Sequence, residues 1–241
     1  MPDRQGIDTV VSSSVTRPRR MTDVIRVGNR TVSTEAALAY ARRYLQTPDE
    51  NWSYPGYDAY LRDTASVPLT EADLLAPILL NVQHMKLRTY YCLLRELPRL
   101  QDLLEQLKPE LTLEQASERD LEVLGQLFSG IDDGRLHGTS GTTMAKILHR
   151  KRPALIPLYD QQVGSCYQHG VEAPVPVVRG RRWDVFMPLF AQAVRADLVQ
   201  HMSLWTEVCA LATEPPITQL RALDIVAWHL GGGVPVEHPD D

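Results

Sequence analysis

The stretch from Gly130 to Gly170 carries the densest set of helix start and stop residues in the chain. It reads as a helix, a tight hairpin, a second helix, an extended segment and a third helix. Small and hydroxyl residues fill positions 138–143, and backbone N–H groups exposed at a helix start suit a phosphate. Pro153 stops the second helix, Pro157 keeps the following residues extended, and Asp160 stands where a helix N-cap is wanted. This order predicts two helices joined by a hairpin, with a third helix opened by an aspartate.

The second helix of this stretch is amphipathic. Its apolar residues at positions 144, 145, 147 and 148 face inward at helical spacing, so we expect the cationic side chains on the outer face and beyond the helix end. These cations are Lys146, His149, Arg150, Lys151 and Arg152. The predicted phosphate-binding residues of the hairpin and helix are Ser140, Gly141, Thr142, Lys146, Arg150 and Lys151.

The same stretch resembles the helix-hairpin-helix DNA glycosylase superfamily. The hairpin of that family runs Leu-Pro-Gly-x-Gly-x-x-x-Ala and leads through a Pro-x-aliphatic-Pro-x-Asp segment into the next helix. Residues 137–141 fall on the first five positions, with Thr139 in place of the first glycine, and Ala145 falls on the alanine. The second half is matched by Arg152, Pro153, Pro157 and Asp160. The motif, together with the RALDIVAWHL ending, also resembles bacterial families of no assigned function.

The resemblance implies an all-α, glycosylase-like helical fold in which Asp160 is the catalytic residue. Family members that also cleave the backbone have a lysine two residues after the second glycine, and Thr143 stands there in this chain. If the protein is an enzyme, the resemblance therefore implies a monofunctional N-glycosylase, a hydrolase that needs no cofactor and no metal. An aspartate at a helix start also serves as a cap that contributes about 1 kcal/mol, and the sequence leaves both uses of Asp160 open.

An aromatic loop, NWSYPGYDAYL, is the second informative stretch. Rings in an irregular loop can stack on a flat ligand such as a base, or they can cover the edge of a core. Asp58 in this loop can bind a polar ligand edge or cap a turn. The predicted pocket residues are Trp52, Tyr54, Tyr57, Asp58 and Tyr159.

The composition bounds the partners and the location. A formal net charge of −5 argues against a protein that coats nucleic acid non-specifically, since that affinity comes from neutralising many phosphates. Three widely spaced cysteines exclude a four-cysteine iron–sulfur loop and fit a reduced compartment. No apolar run approaches membrane-spanning length, so we expect a cytoplasmic protein with no membrane partner.

The capping residues and prolines in the rest of the chain predict an all-α domain of about eight to ten helices, in one or two lobes. This domain spans residues 22–230, between a flexible segment 1–21 and a flexible tail 231–241. A short N-terminal β-hairpin is expected around Gly28, followed by a helix that Ser33 caps. Other helices are predicted from Leu87 to Leu107 with an interruption at Pro98, from Thr112 through Gln126, from Trp183 to Leu211, and from Ile217 to Leu230. Arg221 and Asp224 on the last of these are expected to form an internal ion pair.

Three functions follow from these observations. The first is a glycosylase-like protein that engages nucleic acid and hydrolyses the N-glycosidic bond of a modified base with Asp160. The second is a helix-hairpin-helix protein that binds nucleic acid or another protein without catalysis. In the third, the same fold serves small-molecule chemistry in a pocket lined by residues 54–60 and Asp160.

Overall fold

An antiparallel β-hairpin is followed by a series of helices in the part of the chain that the structure, a computed structural model, describes: residues 24–47, 52–60, 67–82 and 85–232. Strand β1 (Val24–Val27) pairs with β2 (Arg30–Ser33). The predicted segment 1–21 lies outside these residues. Of the predicted tail, only residues 231 and 232 are described, and they end the last helix.

The helices account for most of the described residues. They are α1 (Thr34–Gln46), α2 (Gly56–Ala59), a 3-10 helix (Asp73–Leu80), α3 (Leu87–Leu104), α4 (Glu118–Asp132), α5 (Gly141–Lys151), α6 (Gln161–Gln168), α7 (Trp183–Gln200), α8 (Met202–Cys209) and α9 (Gln219–Gly232). The all-α fold with a short N-terminal hairpin is thus confirmed. No helix within the described ranges combines the length and the apolar character needed to cross a bilayer.

Local chemistry explains where several helices begin and end. Ser33 accepts a hydrogen bond from the Ala36 amide, as its predicted cap position requires. The helix expected from Thr112 begins instead after Ser117, because Ser117 and Asp120 form a reciprocal capping box. The segment predicted to be one helix up to Leu211 is divided at His201, whose backbone leaves the helical region at φ −123° and ψ 32°.

Two prolines affect their helices less than the sequence suggests. Pro98 lies inside α3, which continues from Leu87 to Leu104, so the predicted interruption is wrong. A proline removes one backbone donor, and here the surrounding helix tolerates that loss. Pro77 is expected from sequence to kink or break a helix, and the residues around it form a tighter 3-10 helix instead.

Two helix pairs form the main contacts: α4 packs on α7, and α6 packs on α9. The second pair is close because Gly231 has no side chain. A Cβ atom at Gly231 would lie 1.8 Å from the Gln162 carbonyl oxygen, so only glycine lets the end of α9 cross the first turn of α6. This crossing brings α9 beside the helix start at which Asp160 stands.

Candidate functional site

A cleft of about 660 Å³ lies where the hairpin, the start of α6 and one face of α9 meet. We call it the Asp160 cleft. Its walls come from the hairpin and α5, from the end of the 3-10 helix, from α1 and the aromatic loop, and from α9. The lining residues with polar or aromatic side chains include Tyr44, Trp52, Ser53, Asn81, Ser140, Thr142, Thr143, Lys146, Asp160, Gln161, Gln162, Arg221, Asp224 and Trp228.

Asp160 serves as a helix cap and as a cleft residue at once. Its Oδ1 accepts hydrogen bonds from the backbone amides of Gln162 and Val163, both at 3.0 Å. Its Oδ2 lies 3.9 Å from Lys146 Nζ and accepts no hydrogen bond from the described part of the chain. The two uses that the sequence left open are therefore compatible, because each involves a different carboxylate oxygen.

Lys146 belongs to the cleft wall and not to the outer face of α5. Its ammonium group donates a hydrogen bond of 2.8 Å to the Leu80 carbonyl, and its side chain is 7% exposed. Burial lowers the pKa of Lys146, while the nearby Asp160 carboxylate opposes that shift. Lys146 therefore joins the 3-10 helix to Asp160 across the cleft.

The other cations near the end of α5 are also turned inward, so their predicted outward placement is wrong. Lys151 pairs with Asp73 at 2.9 Å, and Arg152 donates to the carbonyls of Leu104 and Leu107. The imidazole of His149 is buried against the Ile156 carbonyl. The physical reason is that α5 is covered by the 3-10 helix as well as by the core, so its polar side chains reach buried carbonyls instead of solvent.

Arg150 is partly exposed but has protein partners. Its guanidinium donates to the backbone carbonyls of Asp58 and Tyr60 and lies over the Tyr57 ring, 5.4 Å from the centroid. Neither Arg150 nor Lys151 lines the Asp160 cleft. Of the cations predicted to bind phosphate, the structure brings only Lys146 to the cleft.

The hairpin, residues 133–140, joins α4 to α5 and lines the cleft with Gly138 and Ser140, and the start of α5 adds Thr142. Ser140 caps α5 by accepting a hydrogen bond of 3.1 Å from the Thr143 amide. Gly141 is buried under the indole of Trp183, and a Cβ atom there would lie 2.1 Å from two of the ring carbons. This contact fixes the position of the first turn of α5. The first backbone amides of any helix lack a carbonyl partner in the preceding turn, so those of α5 can donate to other groups.

Gly141→Ala is expected to lower the free energy of unfolding by about 1–3 kcal/mol, because the added methyl group must displace Trp183. Chemical denaturation followed by circular dichroism measures the change. Gly56→Ala is the control, since nothing lies within 4 Å of a Cβ atom at that position. Equal denaturation midpoints for the two variants would mean that the Trp183 contact does not constrain the hairpin.

The predicted pocket residues divide into one lining residue and four supporting ones. Trp52 lines the cleft. Tyr54 and Tyr57 are buried, and their hydroxyls donate to the carbonyls of Pro215 and Lys146. Tyr159 packs edge-on against Trp183, Phe186 and Phe190 behind the cleft. Asp58 is held by Arg221.

Arg221 is the centre of a buried network that sequence reasoning treated only as one ion pair. Its Nε and Nη2 donate to the two oxygens of Asp58, at 3.0 and 3.2 Å, and its Nη1 donates to Asp224 Oδ2. Nη2 also donates to the hydroxyls of Tyr44 and Ser53. The predicted pair of Arg221 and Asp224 is confirmed, and the network ties α9 to the aromatic loop and to α1.

The α9 face of the cleft was missed as a site. Arg221, Asp224 and Trp228 recur at intervals of three and four residues, which places them on one side of a helix. Burial raises the pKa of the Asp224 carboxyl to about 6; the positive charge of Arg221 opposes this shift, and the Asp160 carboxylate adds to it. The sequence shows this spacing, but it does not show that Asp160 and Lys146 face these residues across the cleft. No group of three His, Cys, Asp or Glu side chains in the described ranges is placed to hold a metal ion.

Among known proteins, a family model described as "Family of unknown function (DUF6308)" matches residues 37–231. No curated protein and no solved structure gives a significant match to the chain. The match does not test the resemblance to helix-hairpin-helix glycosylases, which stays a prediction, whereas the expectation of a family with no assigned function is confirmed. Because the matched range spans most of the sequence and contains every cleft residue from Tyr44 to Trp228, the chain belongs to the DUF6308 family.

Proposed function

We propose that this protein is a glycosylase-like enzyme that engages nucleic acid and hydrolyses the N-glycosidic bond of a modified base in the Asp160 cleft. The observation that carries the proposal is the division of labour between the Asp160 oxygens: Oδ1 accepts the amides of the helix start, while Oδ2 accepts no hydrogen bond from the described residues and lies beside Lys146 in the cleft wall. A carboxylate fixed in this way needs no rearrangement before it meets a substrate.

The chemistry requires a negative charge close to the sugar. When the bond between C1′ and the base nitrogen breaks, positive charge develops on the sugar, and a nearby carboxylate stabilises it. Asp160 Oδ2 supplies that charge and orients the water molecule that adds to C1′. Lys146 keeps the side chain in place through the attraction of opposite charges at 3.9 Å.

The remaining walls suit a base and its sugar. A cleft of about 660 Å³ falls in the range of small-ligand sites, about 300–1,000 Å³. Trp52, Tyr44 and Trp228 line it with aromatic surface on which a flipped base can stack. The leading amides of α5, next to Ser140 and Thr142, are a place for a phosphate at the cleft edge. A cytoplasmic location stays a prediction from the sequence.

The test is release of free base from short duplexes that each carry one hypoxanthine, uracil or 7-methylguanine, measured by liquid chromatography. Asp160→Asn is the decisive variant, because asparagine is as good an N-cap as aspartate and only the charge is lost. We expect the rate to fall by about 10²–10³. Removing the charge beside the buried Lys146 also lowers the unfolding midpoint, so the rates are compared at a temperature at which circular dichroism shows both proteins to be folded. Asp120→Asn, a capping aspartate of α4 that does not line the cleft, is the matched control and is expected to keep the wild-type rate.

A second candidate is hydrolysis of a free nucleoside in the same cleft. It is favoured by the burial of Lys146, Lys151 and Arg152, which removes cations that a duplex would need, and by the net charge of −5. Inosine and 7-methylguanosine are therefore assayed beside the duplexes. Cleavage of the nucleosides alone would favour the second candidate, salt-sensitive duplex binding without base release would favour a non-catalytic protein, and inertness toward all substrates would overturn both enzymatic proposals.

A further inference from the structure

Two carboxylates from different helices open into the Asp160 cleft. Asp160 stands at the start of α6, and Asp224 lies on the α9 face that packs beside it. Each has one oxygen engaged, Asp160 Oδ1 by backbone amides and Asp224 Oδ2 by Arg221. The other oxygen of each accepts no hydrogen bond from the residues that the structure describes. The cleft therefore presents two carboxylate oxygens to a ligand.

The charges around Asp224 do not balance when every group is ionised. Arg221 is already matched by Asp58, whose two oxygens it contacts through Nε and Nη2. Lys146 is matched by Asp160. Asp224 is then the third carboxylate in a cluster that has two cations, and a net negative charge in a largely buried place is unfavourable. One proton removes that charge, and Asp224 is the carboxylate that shares its cation, because Arg221 also donates to both oxygens of Asp58.

The groups that face Asp224 come from several elements. Arg221 lies on its own helix, Lys146 on α5 and Asp160 at the start of α6. The hydroxyls of Tyr40 on α1, Tyr57 on α2 and Tyr167 on α6 also lie within reach of its charge. Burial is the largest influence and raises the pKa of Asp224, Arg221 opposes the shift, and Asp160 reinforces it. The balance leaves Asp224 able to hold and release a proton in the physiological range.

We propose that Asp224 is the catalytic acid that protonates the departing base while Asp160 stabilises the sugar. This inference rests on the proposed N-glycoside hydrolysis and assigns that reaction a second catalytic residue. As the bond between C1′ and the base nitrogen breaks, its electron pair goes to the base, and the proton moves from Asp224 to the base. Water then adds to C1′ and returns a proton to the Asp224 carboxylate, so the enzyme ends in its starting state.

The leaving group provides the test. Hypoxanthine leaves as an anion unless it is protonated, whereas 7-methylguanine already carries a positive charge and leaves neutral without a proton. We expect Asp224→Asn to slow hypoxanthine release by about 10²–10⁴, the usual worth of a positioned acid, and to slow 7-methylguanine release by less than about tenfold. Retained 7-methylguanine release in this variant also shows that it is folded.

The pH profile is the second readout. Asp224 must hold its proton to act, so wild-type hypoxanthine release is expected to fall as the pH rises above the Asp224 pKa of about 6. Wild-type release of 7-methylguanine, which needs no acid, should lack this step. Asp197→Asn is the matched control, because burial also raises the pKa of Asp197, it accepts a hydrogen bond from the Gly28 amide, and it does not line the cleft. Its two rates and its pH profile should equal those of wild type.

The outcomes separate the two proposals. If wild type releases hypoxanthine and Asp224→Asn slows both bases equally, Asp224 is not the acid although the enzyme is an N-glycosidase. Wild-type cleavage of 7-methylguanine alone would likewise overturn the role of Asp224, because that base needs no acid. If wild type releases no base from any duplex or nucleoside, the proposed function fails, and the role of Asp224 in it fails with it.

Discussion

Arg221→Met is expected to lower the free energy of unfolding by about 3–5 kcal/mol, the usual effect of removing one partner from a buried ion pair. Methionine fills much of the space of the side chain, so the loss reports on charge more than on volume. Asp58 and Asp224, whose side chains are 7% and 10% exposed, would both lose their only cationic hydrogen-bond donor within the described residues. The hydroxyls of Tyr44 and Ser53 would each lose a donor as well.

Urea denaturation followed by circular dichroism measures this loss. Arg119→Met is the control, because the ion pair of Arg119 with Glu122 is solvent-exposed, at 68% and 64%, and such pairs contribute about 0–1 kcal/mol. A loss for Arg221→Met no larger than that of the control would show that Asp58 and Asp224 reach solvent without the arginine. The network would then not be what holds α9 to the aromatic loop.

The loss is expected to depend on pH through Asp224. A carboxyl with a raised folded-state pKa favours folding when protonated, so its contribution falls as the pH rises from the ordinary value of 3.8 through about 6. In wild type Arg221 limits this fall by stabilising the ionised form. Without Arg221 the pKa of Asp224 rises further, so the destabilisation should be smaller at about pH 5 than at about pH 8. A loss that is the same at both values would contradict the assignment of the charge imbalance to Asp224.

The secondary structure could be predicted from the sequence where a local bond decides it. Ser33 and Asp160 each accept a hydrogen bond from an amide two or three residues later. Because both partners are close in sequence, a local pattern is enough to predict the bond. The prediction was wrong where two local patterns compete or where packing decides. A helix is expected from Thr112, but it begins after Ser117 because Ser117 and Asp120 form a capping box.

The cleft could be predicted only in part for the same reason. Asp160 and Trp52 lie in stretches whose local pattern is unusual, and both line the cleft. The network of Arg221 joins residues 163 positions apart in sequence, and no local pattern indicates that Asp58 is its partner. Cations in an amphipathic helix are normally solvated, and only the covering 3-10 helix turns those of α5 inward.

Lys151→Met is expected to lower the free energy of unfolding by about 3–5 kcal/mol, because it leaves a buried carboxylate without its cation. Lys151 Nζ lies 2.9 Å from Asp73 Oδ2, and the two side chains are 2% and 0% exposed. The same oxygen accepts hydrogen bonds from the amide and hydroxyl of Thr70, whereas Asp73 Oδ1 is buried with no hydrogen-bond partner. The ammonium group is thus the only charge compensation that the described residues give Asp73.

A double variant separates charge from packing. Asparagine at position 73 still accepts from Thr70 but carries no charge, so Lys151→Met combined with Asp73→Asn should be more stable than Lys151→Met alone. Lys108→Met, at an exposed lysine after α3, is the control and should stay within about 0.5 kcal/mol of wild type. If the double variant is no more stable than the single one, the loss comes from packing and the ion pair is not its cause.

The consequence of this pair extends to the cleft. Asp73 opens the 3-10 helix, and that helix ends at Leu80, whose carbonyl accepts the hydrogen bond from Lys146 Nζ. Lys146 in turn lies beside Asp160 Oδ2. α5 therefore contacts both ends of the 3-10 helix. Lys151 pairs with Asp73, the first residue of the 3-10 helix, and Lys146 donates to Leu80, its last residue. Loss of the Lys151 contact should loosen the cleft wall as well as the fold, so Lys151→Met is expected to weaken ligand binding under conditions in which the variant is still fully folded.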